Sequence, residues 1–339
     1  MGERIAVVGA GAMGANHVRT LTESNGDLGA KLCFVVDPDT ARAQVMADKA
    51  RGEVGVLGNV EDLDGDRVDG VILASPSHLH AEQAVGLLER GVAVLVEKPA
   101  AMSEAELDDM ERAAEKNDGL IMVGHVEKFN PVVHELRAIL GDQAIRTIRA
   151  ERLGTVGDQQ RLRNVGDVVR DLTLHDLTIV DLLLQGSTEL PEVLAAVGRA
   201  DSSAPPDPVD VSLDYGRGIS AHLYTSRAYP GLRRRLVRVE TDSGEFEANL
   251  LPQQRRVSLK KEDEGRYSEG GVYIPSAIKG EESFVSGPQP LDLEQRFFLR
   301  CMRGNDNPEA AGVSLDDARK MLRITNAILA KMVMVSDRR

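Results

Sequence analysis

The sequence predicts an α/β protein: an N-terminal doubly wound parallel sheet, followed by a C-terminal α+β domain with a large, open, mostly antiparallel sheet. Three observations lead there. A short apolar run ends in G-x-G-x-x-G at residues 5–14. Apolar runs then alternate with amphipathic stretches at βαβ spacing up to residue 123. Beyond residue 205, strand-like runs follow one another with only turn signals between them.

The first run, Ile5-Ala6-Val7-Val8, reads as a buried parallel strand, and a helix opens at its glycine turn. Each glycine has a mechanical task. Gly9 permits the tight turn, Gly11 lets the backbone approach a pyrophosphate, and Gly14 lets helix and strand pack closely. A pyrophosphate would rest on Gly11, Ala12 and Met13 at the positive end of the helix dipole. The second strand, 32–36, ends at Asp37, whose carboxylate suits adenosine ribose hydroxyls and repels a 2′-phosphate. That favours NAD. Arg42, one helical turn on, would meet the phosphate of NADP if Asp37 rotated aside, so NADP stays open.

Further strands are expected at 55–57, 71–74, 92–96 and 120–123, with helices at 77–90 and 103–116 between them. Ser103 and Glu106 form a capping box for the second of these helices. These elements make residues 1–123 a Rossmann domain that binds NAD, and 124–339 a domain for substrate binding and oligomerisation. In the second domain, helices are expected at 131–140 and 167–184 and a strand at 145–153. A Pro-rich turn at 204–208 introduces strands at 209–215, 219–226, 234–241, 245–250 and 255–260. Residues 263–290 read as a polar loop or arm, and helices at 292–303 and 314–335 end the chain.

Composition narrows the function classes. The 339 residues are 42% hydrophobic and 28% charged, as in a globular protein, and aromatics at 3% leave an aliphatic core. A formal charge of −13 argues against nucleic acid and anionic membranes as partners. The cluster Arg233-Arg234-Arg235 with Arg238 reads as a solvated strand edge. Cys33 is expected in a buried strand and Cys301 in a late helix, which suits neither a metal site nor a disulfide framework. No apolar run is long enough to span a membrane. The first strand begins so early that a signal peptide has no room, and a cytoplasmic location is expected.

Three constellations bear on chemistry. Ser75 and Pro76 follow the strand at 71–74, where the backbone lines a nicotinamide ribose; His80 either caps a helix or touches cofactor or substrate. Glu97-Lys98-Pro99 ends another strand, with Glu97 counted among the cofactor-binding residues, and Lys98 either holds a reacting hydroxyl or is a solvated partner of Glu97. Asp171 and His175, four apart on a helix, share a face and are either a carboxylate and general base or a surface pair.

Together, Gly9–Gly14, Asp37, Ala74–His80, Glu97-Lys98-Pro99 and Asp171-x-x-x-His175 resemble the Gfo/Idh/MocA oxidoreductases. The resemblance implies an NAD(P)-dependent dehydrogenase acting on a sugar, cyclitol or related polyol. Lys98 would contact the reacting hydroxyl, His175 would accept its proton, and Asp171 would orient Lys98 or the substrate. It also implies a homodimer or homotetramer formed through the second-domain sheet, with the helix from Ser314 packed back on the cofactor domain. Within the family, Gly124-His125-Val126-Glu127-Lys128-Phe129-Asn130-Pro131 is similar to members that oxidise the 3-hydroxyl of UDP-N-acetylglucosamine or its uronic acid. Phe129 and Asn130 are the implied sugar contacts. Arg152, Arg161 and Arg163 are either diphosphate contacts or surface arginines. An inositol or simple-sugar dehydrogenase is the alternative within the family. A non-catalytic dinucleotide-binding regulator is the alternative from another class.

Overall fold

Strand β1, Glu3–Val8, alternates its side chains between two cores, and that alternation organises the N-terminal part of the molecule. Ala6 and Val8 join one buried cluster, while Ile5 and Val7 join the other. The pattern repeats in β4, Gly70–Leu73, and β5, Ala93–Glu97: Val71, Leu73, Val94 and Val96 face one way, Ile72 and Leu95 the other. A sheet buried on both faces needs helices on both. The computed structural model supplies them; it describes residues 2–23, 29–50, 52–155, 166–185, 189–199, 206–260, 266–267, 273–274 and 282–335.

The chain divides into two compact units, Met1–Phe129 with Pro288–Leu322, and Asn130–Gly287 with Arg323–Arg339. In the first, α1 (Ala12–Glu23), β2 (Ala30–Val36), α2 (Thr40–Ala47) and β3 (Gly55–Leu57) precede β4. Then come α3 (His80–Glu89), β5, α4 (Glu104–Asn117) and β6 (Ile121–Gly124). The sheet order is β3-β2-β1-β4-β5-β6, every pairing parallel. Strand order therefore reverses between β1 and β4, which opens a crevice beyond their carboxyl ends. Helix α1 buries Gly14, His17, Val18 and Leu21, an i, i+3, i+4, i+7 stripe. In α4 the Ser103 side chain accepts from the Glu106 N–H at 3.2 Å. The Glu106 carboxylate closes the cap on the Met102 N–H at 2.6 Å, one residue earlier than in a capping box.

The second unit holds α5 (Pro131–Leu140), β7 (Ile145–Thr155), α6 (Leu174–Leu183), β8 (Glu192–Arg199), β9 (Val209–Asp214) and β10 (Ser220–Tyr229). It continues with β11 (Arg234–Thr241), β12 (Gly244–Asn249), β13 (Arg256–Lys260), the short pair β14 (Arg266–Tyr267) and β15 (Tyr273–Ile274), and β16 (Glu282–Phe284). Then α7 (Pro290–Met302) returns to the first unit. There Phe297, Phe298, Leu299 and Cys301 fill the core beneath α1, although the helix was expected in the second domain. Helix α8, Leu315–Lys331, buries Leu315, Ala318 and Leu322 in the cluster that also holds residues of α3 and α4. Strand β17 is Met332–Val335.

The large sheet runs β16-β13-β12-β11-β7-β10-β9-β8-β17. Only β7–β10 and β8–β17 pair in parallel, so the sheet is mostly antiparallel.

Five expectations need correction. The last helix ends at Lys331 rather than 335, because Met332–Val335 pairs as a strand with β8. Strand β8 itself, eight residues with an alternating pattern, was not anticipated. Where residues 263–290 were read as a loop, the described parts form β14, β15 and β16, with β16 pairing β13. The arginine cluster is not a strand edge. Strand β11 lies between β7 and β12, where Arg234 and Arg238 pair with Glu151, and Arg238 also with Glu247. Cys33 is half-buried rather than buried.

Candidate active site

The shape of the glycine turn follows from two close approaches and one opening. Gly9 has φ +100°, and a Cβ there would lie 2.4 Å from the Ala74 carbonyl oxygen, across the switch between β1 and β4. At Gly14 a Cβ would lie 1.8 Å from the Gly9 carbonyl oxygen. At Gly11 it would meet nothing within 4 Å. Only the middle glycine faces open space, and with Ala12 it is exposed at the start of α1, where a pyrophosphate needs backbone N–H groups. The residues present fit a dinucleotide.

Asp37 follows β2 and is already engaged. Its Oδ2 accepts from the Ala10 N–H at 2.7 Å, and its Oδ1 from the Asp39 N–H and Arg42 Nη2, both at 2.9 Å. Burial pushes its pKa up, but the Ala10 N–H, Arg42 and the Asp39 N–H outweigh it and hold the carboxyl below its usual range. Arg42 itself is exposed and pairs with this carboxylate.

After β4, Ser75 is half-buried with its hydroxyl on Gln83 Oε1 at 2.6 Å, and Pro76 is exposed. His80 begins α3 and is 1% exposed. Its Nε2 lies 2.8 Å from the Ser75 carbonyl and its Nδ1 2.9 Å from that of Pro99. The ring therefore straps the loop after β4 to the loop after β5. Burial drives its pKa down, against the pull of those two carbonyls and of Glu97.

Lys98 follows β5 directly and is half-buried. Glu97 turns inward instead. Its Oε1 is 2.8 Å from His17 Nε2, and its Oε2 accepts the Lys98 N–H at 3.1 Å. Gln295 Nε2 donates to His17 Nδ1 at 3.0 Å and to the His17 carbonyl at 3.2 Å. Since Nδ1 is the acceptor there, Nε2–H is the donor to Glu97. The fully buried Glu294 completes the group: a nitrogen of His17 and a carboxylate oxygen from each of Glu97 and Glu294 lie within 4.8 Å of one another. Among the described residues neither Glu294 oxygen has a hydrogen-bond partner. Burial first, then the charges of Glu97 and Glu127, push the Glu294 pKa well up, so it keeps its proton. Burial also raises Glu97, but the His17 bond and the Lys98 charge bring it below its usual range. The three ligand-type atoms could face a cation, but both nitrogens of His17 are already used within the cluster. Sequence reasoning missed His17 and Glu294; the trace was a histidine on the apolar stripe of α1.

In the second unit, Asp171 and His175 do not lie on one continuous α-helix. Val169–Thr173 is a π-helical turn, and α6 begins at Leu174. Asp171 Oδ2 accepts from Arg227 Nε at 2.9 Å, and His175 is half-buried. Arg227 on β10 was missed, since no local spacing links it to Asp171.

The implied substrate contacts fare differently. Phe129 is 8% exposed and packs on Phe297, ring centroids 5.3 Å apart, inside the first unit's core. Asn130 caps α5, its side chain accepting from the Val132 N–H at 3.1 Å. Both have packing roles the motif did not reveal. Arg152 was read as a diphosphate contact or a surface arginine. It is not a surface arginine: 4% exposed, its Nε donates to Asp176 Oδ1 at 2.9 Å in a buried ion pair. Arg161 and Arg163 lie outside the described residues.

Residues 3–125 match the family model GFO_IDH_MocA, described as an oxidoreductase family with an NAD-binding Rossmann fold. This stretch belongs to the Gfo/Idh/MocA family. Inositol 2-dehydrogenase 1 of Saccharopolyspora erythraea is 33% identical over 215 residues, 59% of each chain. The match thus spans about three-fifths of that enzyme. UDP-N-acetylglucosamine 3-dehydrogenase of Acidithiobacillus ferrooxidans is 29% identical over 233 residues, 69% of this chain and 70% of that one. Its solved structure superposes with a TM-score of 0.79 at 22% identity, covering 98% of each chain. A 3-ketoreductase from Actinomadura kijaniata, solved with NADP and TDP-benzene, gives a TM-score of 0.84 at 18% identity over 100% of each chain. These superpositions show the two-part α/β fold. The matched stretch is of the NAD-binding Rossmann type, and among the described residues no helix is long and apolar enough to cross a membrane.

Proposed function

We propose that this Gfo/Idh/MocA chain is an NAD-dependent dehydrogenase that oxidises a secondary hydroxyl of a sugar, the 3-hydroxyl of UDP-N-acetylglucosamine or a related UDP-sugar. One observation carries the reading. The glycine turn, Asp37, Ser75-Pro76 and Lys98 follow the carboxyl ends of β1, β2, β4 and β5, the edge of a parallel sheet that holds dinucleotides. An ammonium group at that edge is suited to stabilise negative charge developing on a bound ligand.

NAD, when bound, accepts the hydride. The chain's residues do the rest. Gly11, Ala12 and Met13 bind the pyrophosphate and Asp37 the adenosine ribose, with Arg42 beside it as the group that would favour NADP. His175 takes the hydroxyl proton, an imidazole being matched to that task near neutral pH. Lys98 stabilises the alkoxide, and Asp171 orients the reacting hydroxyl. The UDP-sugar reading is supported by the 124–131 motif and by the Acidithiobacillus relative. A second reading, inositol oxidation, is favoured by the inositol 2-dehydrogenases that head the named relatives. A homodimer or homotetramer belongs to the proposal, supported by Leu194, Val333 and Met334, exposed at the β8–β17 edge.

NADH and NADPH formation at 340 nm, with UDP-N-acetylglucosamine and myo-inositol side by side, separates the readings. No turnover on either, with NAD still bound, would favour a regulator. His175→Ala is expected to lower kcat by about 10²- to 10⁴-fold with NAD affinity near normal. An unchanged kcat removes His175 from the reaction.

A further inference from the structure

A π-helical turn is uncommon and marks places where a helix is held away from its preferred winding. Here it spans Val169–Thr173 and carries Asp171, and strand β10 holds it at two points. Thr225 Oγ1 lies 2.8 Å from Thr173 Oγ1, both residues fully buried. Two residues along, Arg227 Nε donates to Asp171 Oδ2 at 2.9 Å. The same guanidinium donates through Nη2 to the Gly166 carbonyl at 2.7 Å, just ahead of the turn. The Arg227 backbone is fixed too, its N–H donating to Asp207 Oδ2 at 2.9 Å.

The arginine is thus tied to the strand at one end and to both sides of the turn at the other. Its side chain is 6% exposed, whereas that of Asp171 is 27% exposed. The guanidinium is thus the buried member of the pair and the carboxylate the more exposed one. A planar fork serves two acceptors from fixed directions, which a single ammonium does not.

We propose that Arg227 is a positioning residue: it sets the orientation of the Asp171 carboxylate, and with it the turn leading to His175. This rests on the reading of Asp171 as a participant in the dehydrogenase reaction. The arginine touches neither substrate nor cofactor in this scheme and acts only through Asp171.

The test uses the full chain, NAD, and UDP-N-acetylglucosamine or myo-inositol, whichever the wild-type protein oxidises. Arg227→Ala is expected to lower kcat by about 10- to 100-fold through a misplaced carboxylate, leaving the KM for NAD unchanged. Added guanidinium should restore part of the loss in Arg227→Ala and none in Asp171→Asn. Arg227→Lys, which keeps the charge and loses the fork, should stay impaired and covers the case in which the alanine variant does not fold. In the Asp171→Asn background, Arg227→Ala should add less than about twofold, because the two act as one unit. Multiplying losses in the double variant, or a wild-type kcat in Arg227→Lys, overturns the proposal. A wild-type kcat in Asp171→Asn removes Asp171 from the reaction, and the functional reading of that residue falls with it.

Discussion

The polar cluster around Glu97 and the ion pairs around Asp171 and Asp176 are both largely buried, yet they hold charge by different means. In the first unit Glu97, Glu127 and Glu294 crowd together, with His17 and Gln295 as neighbours, and one carboxyl relieves the crowding by keeping its proton. In the second unit two carboxylates meet guanidinium groups instead: Asp171 meets Arg227, and Asp176 meets Arg152 with side chains 3% and 5% exposed. Guanidinium does not lose its proton at any relevant pH. A proton can leave and an arginine cannot. The first region is therefore tuned by pH, and the second keeps a constant charge arrangement in which to hold Asp171.

The largest expected effect lies in the second region. Asp176→Ala takes the anion from a buried guanidinium and should destabilise the protein by about 3–5 kcal/mol, read from urea unfolding. The double variant Arg152→Met, Asp176→Leu should recover most of that. A single-variant loss under about 1 kcal/mol would mean that the remaining neighbours of Arg152 carry the charge unaided.

The contrast is drawn most sharply by pH. The folded pKa of Glu294 lies above its unfolded value. Its stabilisation is complete below the ordinary carboxylate range and is lost as pH rises from there towards the folded value, by about 1.4 kcal/mol per pH unit. Glu97 runs the other way: its lowered pKa gives stability above the unfolded value that is lost as pH falls through the folded one. Glu294→Gln resembles the protonated acid, so it should flatten the decline of Tm with rising pH and leave the acid limb in place. Parallel Tm curves for variant and wild type would mean that Glu294 titrates alike in the folded and unfolded chain.

The smallest effect belongs to the neutral pair of the second region. Thr225→Val leaves the buried Thr173 hydroxyl without that partner and should cost about 1–3 kcal/mol, independent of pH. Adding Thr173→Val should restore much of it. A cost that varied with pH would show that even this pair is tied to a titrating neighbour.

Local signals explain what was legible. The glycine turn, Asp37 and the Lys98 strand end were read from sequence because their tasks depend on backbone geometry within a few residues. The parallel sheet was likewise legible, since unbroken apolar runs separated by amphipathic stretches at βαβ spacing are written along the chain. The misreadings came from pairing at a distance. Residues 332–335 continue an amphipathic helical pattern, but a vacant strand edge at β8 draws them into the sheet. Arg152 looks like any exposed arginine until Asp176, 24 residues away, is seen beside it.

By itself, then, the sequence determined the Rossmann-type module, its parallel strands and the residues at their carboxyl ends, because turns, caps and apolar periods act over one or two helical turns. Only the tertiary structure decided the π-helical winding under Asp171, the grip of Arg227 from 56 residues away, and the proton kept by Glu294. Each of these is set by burial and by charge from other strands or helices, and neither is encoded in the neighbours along the chain.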